Sequence, residues 1–448
     1  MIACAFLLLG VVLAAADAEP PPPDIVMIVV DDMGWADPGF MPGGVHETPN
    51  MDALAERGIV FTQATSNGPN CSPSRASLIT GQWTPRHGVL TVGTAKRGKA
   101  ANRKLEPPKN GSWLKPRSKT LGNHLGQAGY RTGHVGKWHL GNDPTEQGFE
   151  FNAGGNKAGH PKSYFSPYKN DDLTDGPEGE SLTDRLTDEA IEFLETEDER
   201  PVFLHLSYYA VHTPLQATKE EIAALRASHP DWDKRQATYA AMMQRVDRNI
   251  GRLLEHVDEN SVVIFCSDNG GLARVAHNGP LRGSKGMLYE GGIRVPLVVA
   301  IPNQSPGRID TPVTLMDLGP TVCDLASVSH TEAAFDGESL VTLMDGQDDA
   351  LEARSLYWHF PAYLEAGGKA GPWRTTPVGA IREGRWKLME FFEDGHLELY
   401  DLHSDPSESE NRANAEPGTR DRLHTMLNNW RESVNAPMPQ PLETAATR

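Results

Sequence analysis

Six short stretches of this chain carry residue types that could act together chemically. Asp31-Asp32 and Asp268-Asn269 are two pairs of hard oxygen donors, each placed directly after an apolar, β-branched run. Two such pairs delivered from strand ends suggest a divalent-cation site, and an all-oxygen donor set favours Ca²⁺ or Mg²⁺ over zinc. The competing reading is that Asp and Asn-Gly simply open the turns that follow two strands. Cys71 begins the run Cys-Ser-Pro-Ser-Arg, which continues as Ala-Ser-Leu-Ile-Thr-Gly to Gly81. Pro73 suits a first helical turn, so the thiol stands at a helix N-terminus beside Arg75, a setting that lowers a thiol pKa and marks a candidate nucleophile. A helix start with an incidental half-buried cysteine is the alternative.

Three further stretches add cations. If Val135–Leu140 is extended, Lys137 and His139 project from one face, where an ammonium and an imidazole suit a bound oxyanion. A phosphate loop is excluded because Lys137 is followed by Trp138 rather than Ser or Thr. His212 follows a strand and an aromatic extension, as an acid catalyst or as a satisfied loop residue. Lys285 lies in a glycine-rich loop between His277 and Pro296, soon after Asp268-Asn269.

These residues need a scaffold that gathers strand ends. Ile25–Val30 reads as a strand buried on both faces, and Val202–Leu206, Val262–Cys266 and Pro296–Ala300 are similar. Helical patterns at Asn50–Arg57, Leu182–Glu195 and Arg235–His256 alternate with them, which predicts an α/β fold with a large, mainly parallel sheet flanked by helices. In such sheets ligands bind beyond the carboxyl ends of the strands. From about residue 346 the texture changes to short antiparallel strands (380–382, 385–389, 397–400) closed by a helix at Thr419–Val434, a small C-terminal α+β subdomain. The expected domains are therefore a leader at 1–18, a catalytic unit at 19–345 and the subdomain at 346–448.

The chain has 448 residues and a formal net charge of −18, which argues against nucleic acid as a partner but not against an anionic ligand in a local basic pocket. An apolar run from Ile2 to Ala15 followed by Ala16-Asp17-Ala18 reads as an export signal cleaved near Ala18, too short for a stable membrane span. Export is the expected localisation, periplasmic or secreted. Removal of Cys4 with the leader leaves Cys71, Cys266 and Cys323, an odd number in an oxidising compartment with no CxxC spacing.

Cys-x-Pro-Ser-Arg followed by Ala-Ser-Leu-x-Thr-Gly, together with Gly-Lys-Trp-His-Leu-Gly at 136–141, resembles the type I, formylglycine-dependent sulfatases of the alkaline phosphatase superfamily. Ordered motifs carry the resemblance from Ile25 to roughly Pro296, and the Trp-Lys-Leu and Leu-Tyr-Asp-Leu segments resemble that family's small C-terminal domain. The resemblance implies that a maturation enzyme oxidises Cys71 to Cα-formylglycine, whose hydrate is the nucleophile. It implies that Asp31, Asp32, Asp268 and Asn269 hold one Ca²⁺, rather than Mg²⁺, with residue 71. Arg75 would then steady the hydrate, and Lys137 and Lys285 would neutralise sulfuryl oxygens. His212 would protonate the leaving alkoxide, and His139 would take the proton that frees sulfate.

The implied reaction is removal of sulfate from a sulfated carbohydrate. Alternatives are an arylsulfatase, a phosphate or phosphonate monoester hydrolase of the same superfamily, or a Ca²⁺-dependent glycan-binding protein if Cys71 stays a thiol. Between Lys96 and Lys119 nine basic residues (96, 97, 99, 103, 104, 109, 115, 117 and 119) face one acid, Glu106. This is either a solvated loop or a cationic rim that steers a polyanionic glycan. Lys137, His212 and Lys285 are expected to touch substrate, with His277 and Arg282 as candidates for sugar or second-sulfate contacts.

Overall fold

The computed structural model describes residues 22–115, 118–331, 334–347, 351, 354–366 and 371–442. The expected leader at 1–18, Cys4 within it, and Arg117 of the basic run lie outside these residues. Eight strands form the main sheet: β1 (Ile25–Val30), β2 (Ile59–Phe61), β3 (Arg131–Gly136), β4 (Phe151–Ala153), β5 (Val202–Ser207), β6 (Val262–Ser267), β7 (Leu297–Ala300) and β8 (Gly307–Ile309). Their order is β8-β2-β7-β6-β1-β5-β3-β4. Every neighbouring pair is parallel except those that β7 makes with β2 and β6.

β1 lies between β5 and β6 and is fully buried, and its alternation divides the core in two. Val26, Ile28 and Val30 face one layer, with Leu186 and Ala190 of α4 (Leu182–Glu195) and Met243, Val246 and Ile250 of α6 (Lys234–Leu254). Ile25, Met27 and Val29 face the other, with Ala76, Leu78 and Ile79 of α2 (Cys71–Thr80), Leu121 and Leu125 of α3 (Leu121–Gln127) and Leu318 and Val322 of α7 (Leu318–Leu325). A strand apolar at every position is what a sheet covered by helices on both faces requires. Helices α1 (Pro49–Arg57) and α5 (Lys219–Ser228) pack against α6.

The second sheet is antiparallel, in the order β9 (Ser355–Phe360), β10 (Val378–Glu383), β11 (Trp386–Phe391), β12 (His396–Asp401), and α8 (Pro417–Ser433) packs on it. The expected α/β architecture with a small C-terminal antiparallel sheet and helix is therefore observed. One local expectation fails: the chain is extended only to Gly136, so Lys137 and His139 are not strand residues. Gly136 has φ +95°, and a Cβ there would lie 2.0 Å from the Ser207 carbonyl oxygen, so only glycine allows β3 to turn at this point. Among the described residues no helix is long and apolar enough to cross a membrane.

Candidate active site

Four adjacent parallel strands, β6, β1, β5 and β3, bring their carboxyl ends together, and nearly every candidate residue follows one of them. Asp31 and Asp32 leave β1, Asp268 and Asn269 leave β6, Lys137 and His139 leave β3, and His212 follows β5. Asp32 adopts φ 63° and His139 φ 62°, left-handed conformations tolerated in short polar turns. α2 supplies Cys71 from its first position, and its ten residues are all buried. Its polar side chains stitch it to its surroundings: Ser72 Oγ donates to the His139 carbonyl at 3.3 Å, Ser74 Oγ donates to the Asp268 carbonyl, and Ser77 Oγ meets His87 Nε2 at 3.0 Å. A serine-rich sequence can thus be a core helix.

Asp31, Asp32 and Asp268 are fully buried, and one oxygen of each lies within 4.8 Å of those of the other two. Three cations offset them. Arg75 Nε donates to Asp268 Oδ2 at 2.8 Å, and its Nη1 donates to the Lys137 carbonyl at 2.9 Å and to Ser207 Oγ. Lys137 Nζ donates to Asp31 Oδ2. Lys285 Nζ donates to Asp32 Oδ2 at 2.8 Å and to Cys71 Sγ at 2.9 Å. Asn269 Nδ2 donates to Asp32 Oδ1 at 2.8 Å, while Asn269 Oδ1 is buried without a partner. Three converging carboxylates and an unpartnered amide oxygen make an all-oxygen donor set that fits a hard divalent cation.

The cysteines divide by environment. Cys71, Cys266 and Cys323 are all buried and free. Burial pushes Cys266 and Cys323 up to about 12. Burial acts on Cys71 as well, but the Lys137 and Lys285 ammonium groups outweigh it and bring the thiol down to about 6. The histidines divide in the same way. Burial, with Lys137 and Arg75 close by, holds His139 well below its ordinary range, and its Nδ1 has no partner. Burial also opposes protonation of His212, yet Asp32, 3.7 Å from Nε2, raises it. His212 Nδ1 donates to the Thr213 carbonyl at 2.7 Å, which leaves Nε2 toward the carboxylates. Burial favours protonating Asp31, whereas Lys285 and His212 hold Asp32 ionised despite its burial.

A cavity of about 480 Å³ opens over this cluster, with Cys71, His139, His212 and Lys285 on its wall. Three expected contacts are elsewhere: Lys137 is fully buried against Asp31 and does not line the cavity. Arg282 is stacked on Tyr289 (3.9 Å to the ring centroid), and its Nη1 donates to Tyr400 Oη and the Glu408 carbonyl, both at 2.9 Å, so it joins the loop to the C-terminal sheet. His277 is exposed, with its backbone N–H on Asp37 at 2.7 Å, and is not on the cavity wall. The basic run also resolves into parts: Lys96 pairs with Glu106, Lys104 with Glu393 at 3.4 Å, and Arg103 donates to three carbonyls. Among the described residues of the run, only Arg97 reaches the wall. Asn70, His160 and Arg374 also line the cavity, and the sequence reading missed them. His160 sits in an ordinary Gly-His-Pro, and Arg374 comes from the distant subdomain, so no local pattern marks either.

A doubly covered, mainly parallel sheet with a buried carboxylate, lysine and thiol centre at its strand ends defines an alkaline phosphatase-like hydrolase architecture. The family model described as Sulfatase matches residues 23–328, and that described as N-sulphoglucosamine sulphohydrolase, C-terminal, matches residues 284–433. The chain belongs to the sulfatase family and is an enzyme of the sulfuric ester hydrolase type. It is 27% identical to a sulfatase of Formosa agariphila, over 91% of this chain and 88% of that one. It is 30% identical to the dog N-acetylgalactosamine-6-sulfatase over 71% of this chain, although the match spans only 65% of the dog enzyme. A solved structure of Ps i-CgsB in complex with k-i-k-neocarrahexaose superposes with a TM-score of 0.77 at 28% identity, covering 91% of this chain and 92% of that one.

Proposed function

We propose that the chain removes sulfate from a sulfated carbohydrate, with residue 71 as the reacting group. The observation that carries this is the position of Cys71: first in a buried helix, 2.9 Å from Lys285 and 3.5 Å from Asp31, at the wall of a cavity rimmed by cations. Sugar as the substrate class is supported by the relatives, one named N-acetylgalactosamine-6-sulfatase and one solved in complex with k-i-k-neocarrahexaose.

Asp31, Asp32, Asp268 and Asn269 would hold Ca²⁺. The cation would supply Lewis acidity, and a Cα-formylglycine made from Cys71 by a maturation enzyme would supply a hydrated aldehyde as nucleophile. The chain's own groups take the remaining work. Arg75 fixes Asp268 and the Lys137 carbonyl, which keeps the centre rigid as charge develops. Lys285 touches residue 71 and balances negative charge on sulfuryl oxygens, and Lys137, buried against Asp31, adds its charge from beneath the wall. His212, whose protonation Asp32 favours against the effect of burial, gives its Nε2 proton to the departing sugar oxygen. His139 is held neutral beside the same wall and accepts a proton in the step that frees sulfate.

We place the catalytic unit at 19–345 and the subdomain at 346–448, and infer export from the leader at 1–18. The test has two readouts: the mass of the peptide containing residue 71, and sulfate release from a panel of sulfated oligosaccharides, an aryl sulfate and an aryl phosphate. An aldehyde mass with release from saccharides is expected. An intact thiol with retained glycan binding and no sulfate release would overturn the reading, and faster phosphate release would reassign the ester.

A further inference from the structure

We infer that Arg97 and Arg374 form a second anion site in the cavity, taking a sulfate or carboxylate on the same saccharide that presents its scissile sulfate to residue 71. The inference rests on the reading of residue 71 as the reaction centre and gives the substrate a chemical class: a saccharide with two anionic groups.

Arg97 Nη2 donates to the Val92 carbonyl at 2.9 Å, and Arg374 Nη1 donates to the Lys285 carbonyl at 3.2 Å. Neither guanidinium has a carboxylate within 4.0 Å among the described residues. Other guanidiniums around the C-terminal sheet do pair: Arg294 with Glu290, Arg354 with Asp317 and Arg431 with Glu390. Each of the two arginines is therefore oriented through one nitrogen, with the rest of its fork available.

The fold brings the pair together from segments far apart in sequence. The Tyr363 N–H donates to the Ala95 carbonyl at 3.2 Å, Gly98 packs on the Trp373 ring, and that ring lies tilted against Tyr363, 4.5 Å between centroids. The loop carrying Arg97 is thus fastened over the strand pair Leu364–Glu365 and Trp373–Thr375. On its other side Arg374 lies against Gly286, next to Lys285, whose Nζ touches Cys71. Burial lowers Arg374, Asp32 opposes it from beyond ion-pair range, and the neighbouring Arg97 adds to the lowering. Two guanidinium forks with no carboxylate in ion-pair range among the described residues, on the wall of the cavity that holds residue 71, match a planar carboxylate or a sulfate bidentately. Glu365, also on this wall, is exposed and pairs with neither arginine, so it is free to accept sugar hydroxyls.

The test compares three probes: a neutral disaccharide with one sulfate, the same disaccharide with two, and a monosulfated disaccharide containing a uronate. Sulfate release by the wild type should favour one or both two-anion probes, and which one identifies the second anion. R97Q and R374Q should each lower the ratio of kcat/KM for that probe over the monosulfated one at least about tenfold, the loss expected for one charge-assisted contact. R374K should retain part of the preference. R97Q changes a half-buried loop residue outside the C-terminal sheet and keeps the test valid if R374Q does not fold. No preference in the wild type, or an equal loss on all three probes, overturns the inference. Calorimetric binding to Cys71→Ala protein separates the two readings. If no probe is turned over, a binding preference for the two-anion probe that R97Q removes still supports the site, and equal binding of all probes overturns it.

Discussion

Around Lys285 three buried carboxylates face three cations; around Glu290, a short way along the same loop, two buried carboxylates face three. Lys387 Nζ lies 2.8 Å from Glu290 Oε1 and 2.9 Å from Glu408 Oε1, Arg294 Nε donates to Glu290 Oε2 at 2.7 Å, and Arg382 stands 4.0 Å from the same oxygen. Burial and charge density are alike in the two clusters. What differs is access. The first opens on a cavity and keeps a free amide oxygen, a low-pKa thiol and two histidines with opposite shifts. The second lies between the loop and β10–β12, off that cavity, and each of its carboxylates pairs with Lys387. A buried ion network with opposite pKa shifts is therefore no sign of catalysis by itself, since both clusters have one; opening onto a cavity is what sets the first apart. The second cluster is a structural staple that ties the C-terminal sheet to the loop bearing Lys285.

Removing the reacting atom should separate the clusters most sharply. Cys71→Ala should lower sulfate release on the order of 10⁴-fold or more, while the melting temperature stays close to that of the wild type. A comparable loss of stability would mean that the thiol serves packing. Chelation comes next: activity should vanish in excess EDTA and return with Ca²⁺. The metal-free protein should melt lower, by about 3 kcal/mol of stability relative to saturation at a hundredfold excess over Kd. Calorimetry with and without Ca²⁺ checks this, and an unchanged melting point would count against a resident cation.

The second cluster should respond in stability. Lys387→Met leaves two carboxylates buried without their shared cation and should cost about 3–5 kcal/mol, read by denaturant unfolding. A neutral outcome would show that Arg294 and Arg382 suffice. The smallest effect concerns pH. Burial, with Glu290 adding to it against Lys387, raises Glu408 from its ordinary 4.5 to about 7. Between those values the folded protein keeps a proton that the unfolded chain has released, so stability falls as pH rises through this window. Glu408→Gln should flatten that slope by an amount on the order of 2 kcal/mol between pH 5 and pH 8, measured as the change in melting temperature across the range.

Much of the site was legible because its residues follow short, strongly patterned strands. Val30 and Ser267 end apolar runs that announce themselves, and the polar pairs after them mark the strand ends. Helices α4 and α6 matched their apolar periodicity almost to the residue. The failures have a common cause. Lys137 and His139 were read as an extended face, but the close approach of Gly136 to Ser207 turns the chain between two strands that pair only in three dimensions. Arg282 was expected at the sugar and is instead held by Tyr400 and Glu408, and nothing local to its loop reveals those partners.

The sequence alone determined the α/β class, the oxygen-donor pairs and the cysteine at a helix start, because each is a short-range pattern of residue type and period. Only the tertiary structure decided which cations surround Cys71, which lysine lies in a staple and which beside a cavity, and that Arg97 and Arg374 share a wall. Those outcomes depend on strand order and on the docking of a C-terminal sheet, which set distances between residues hundreds of positions apart.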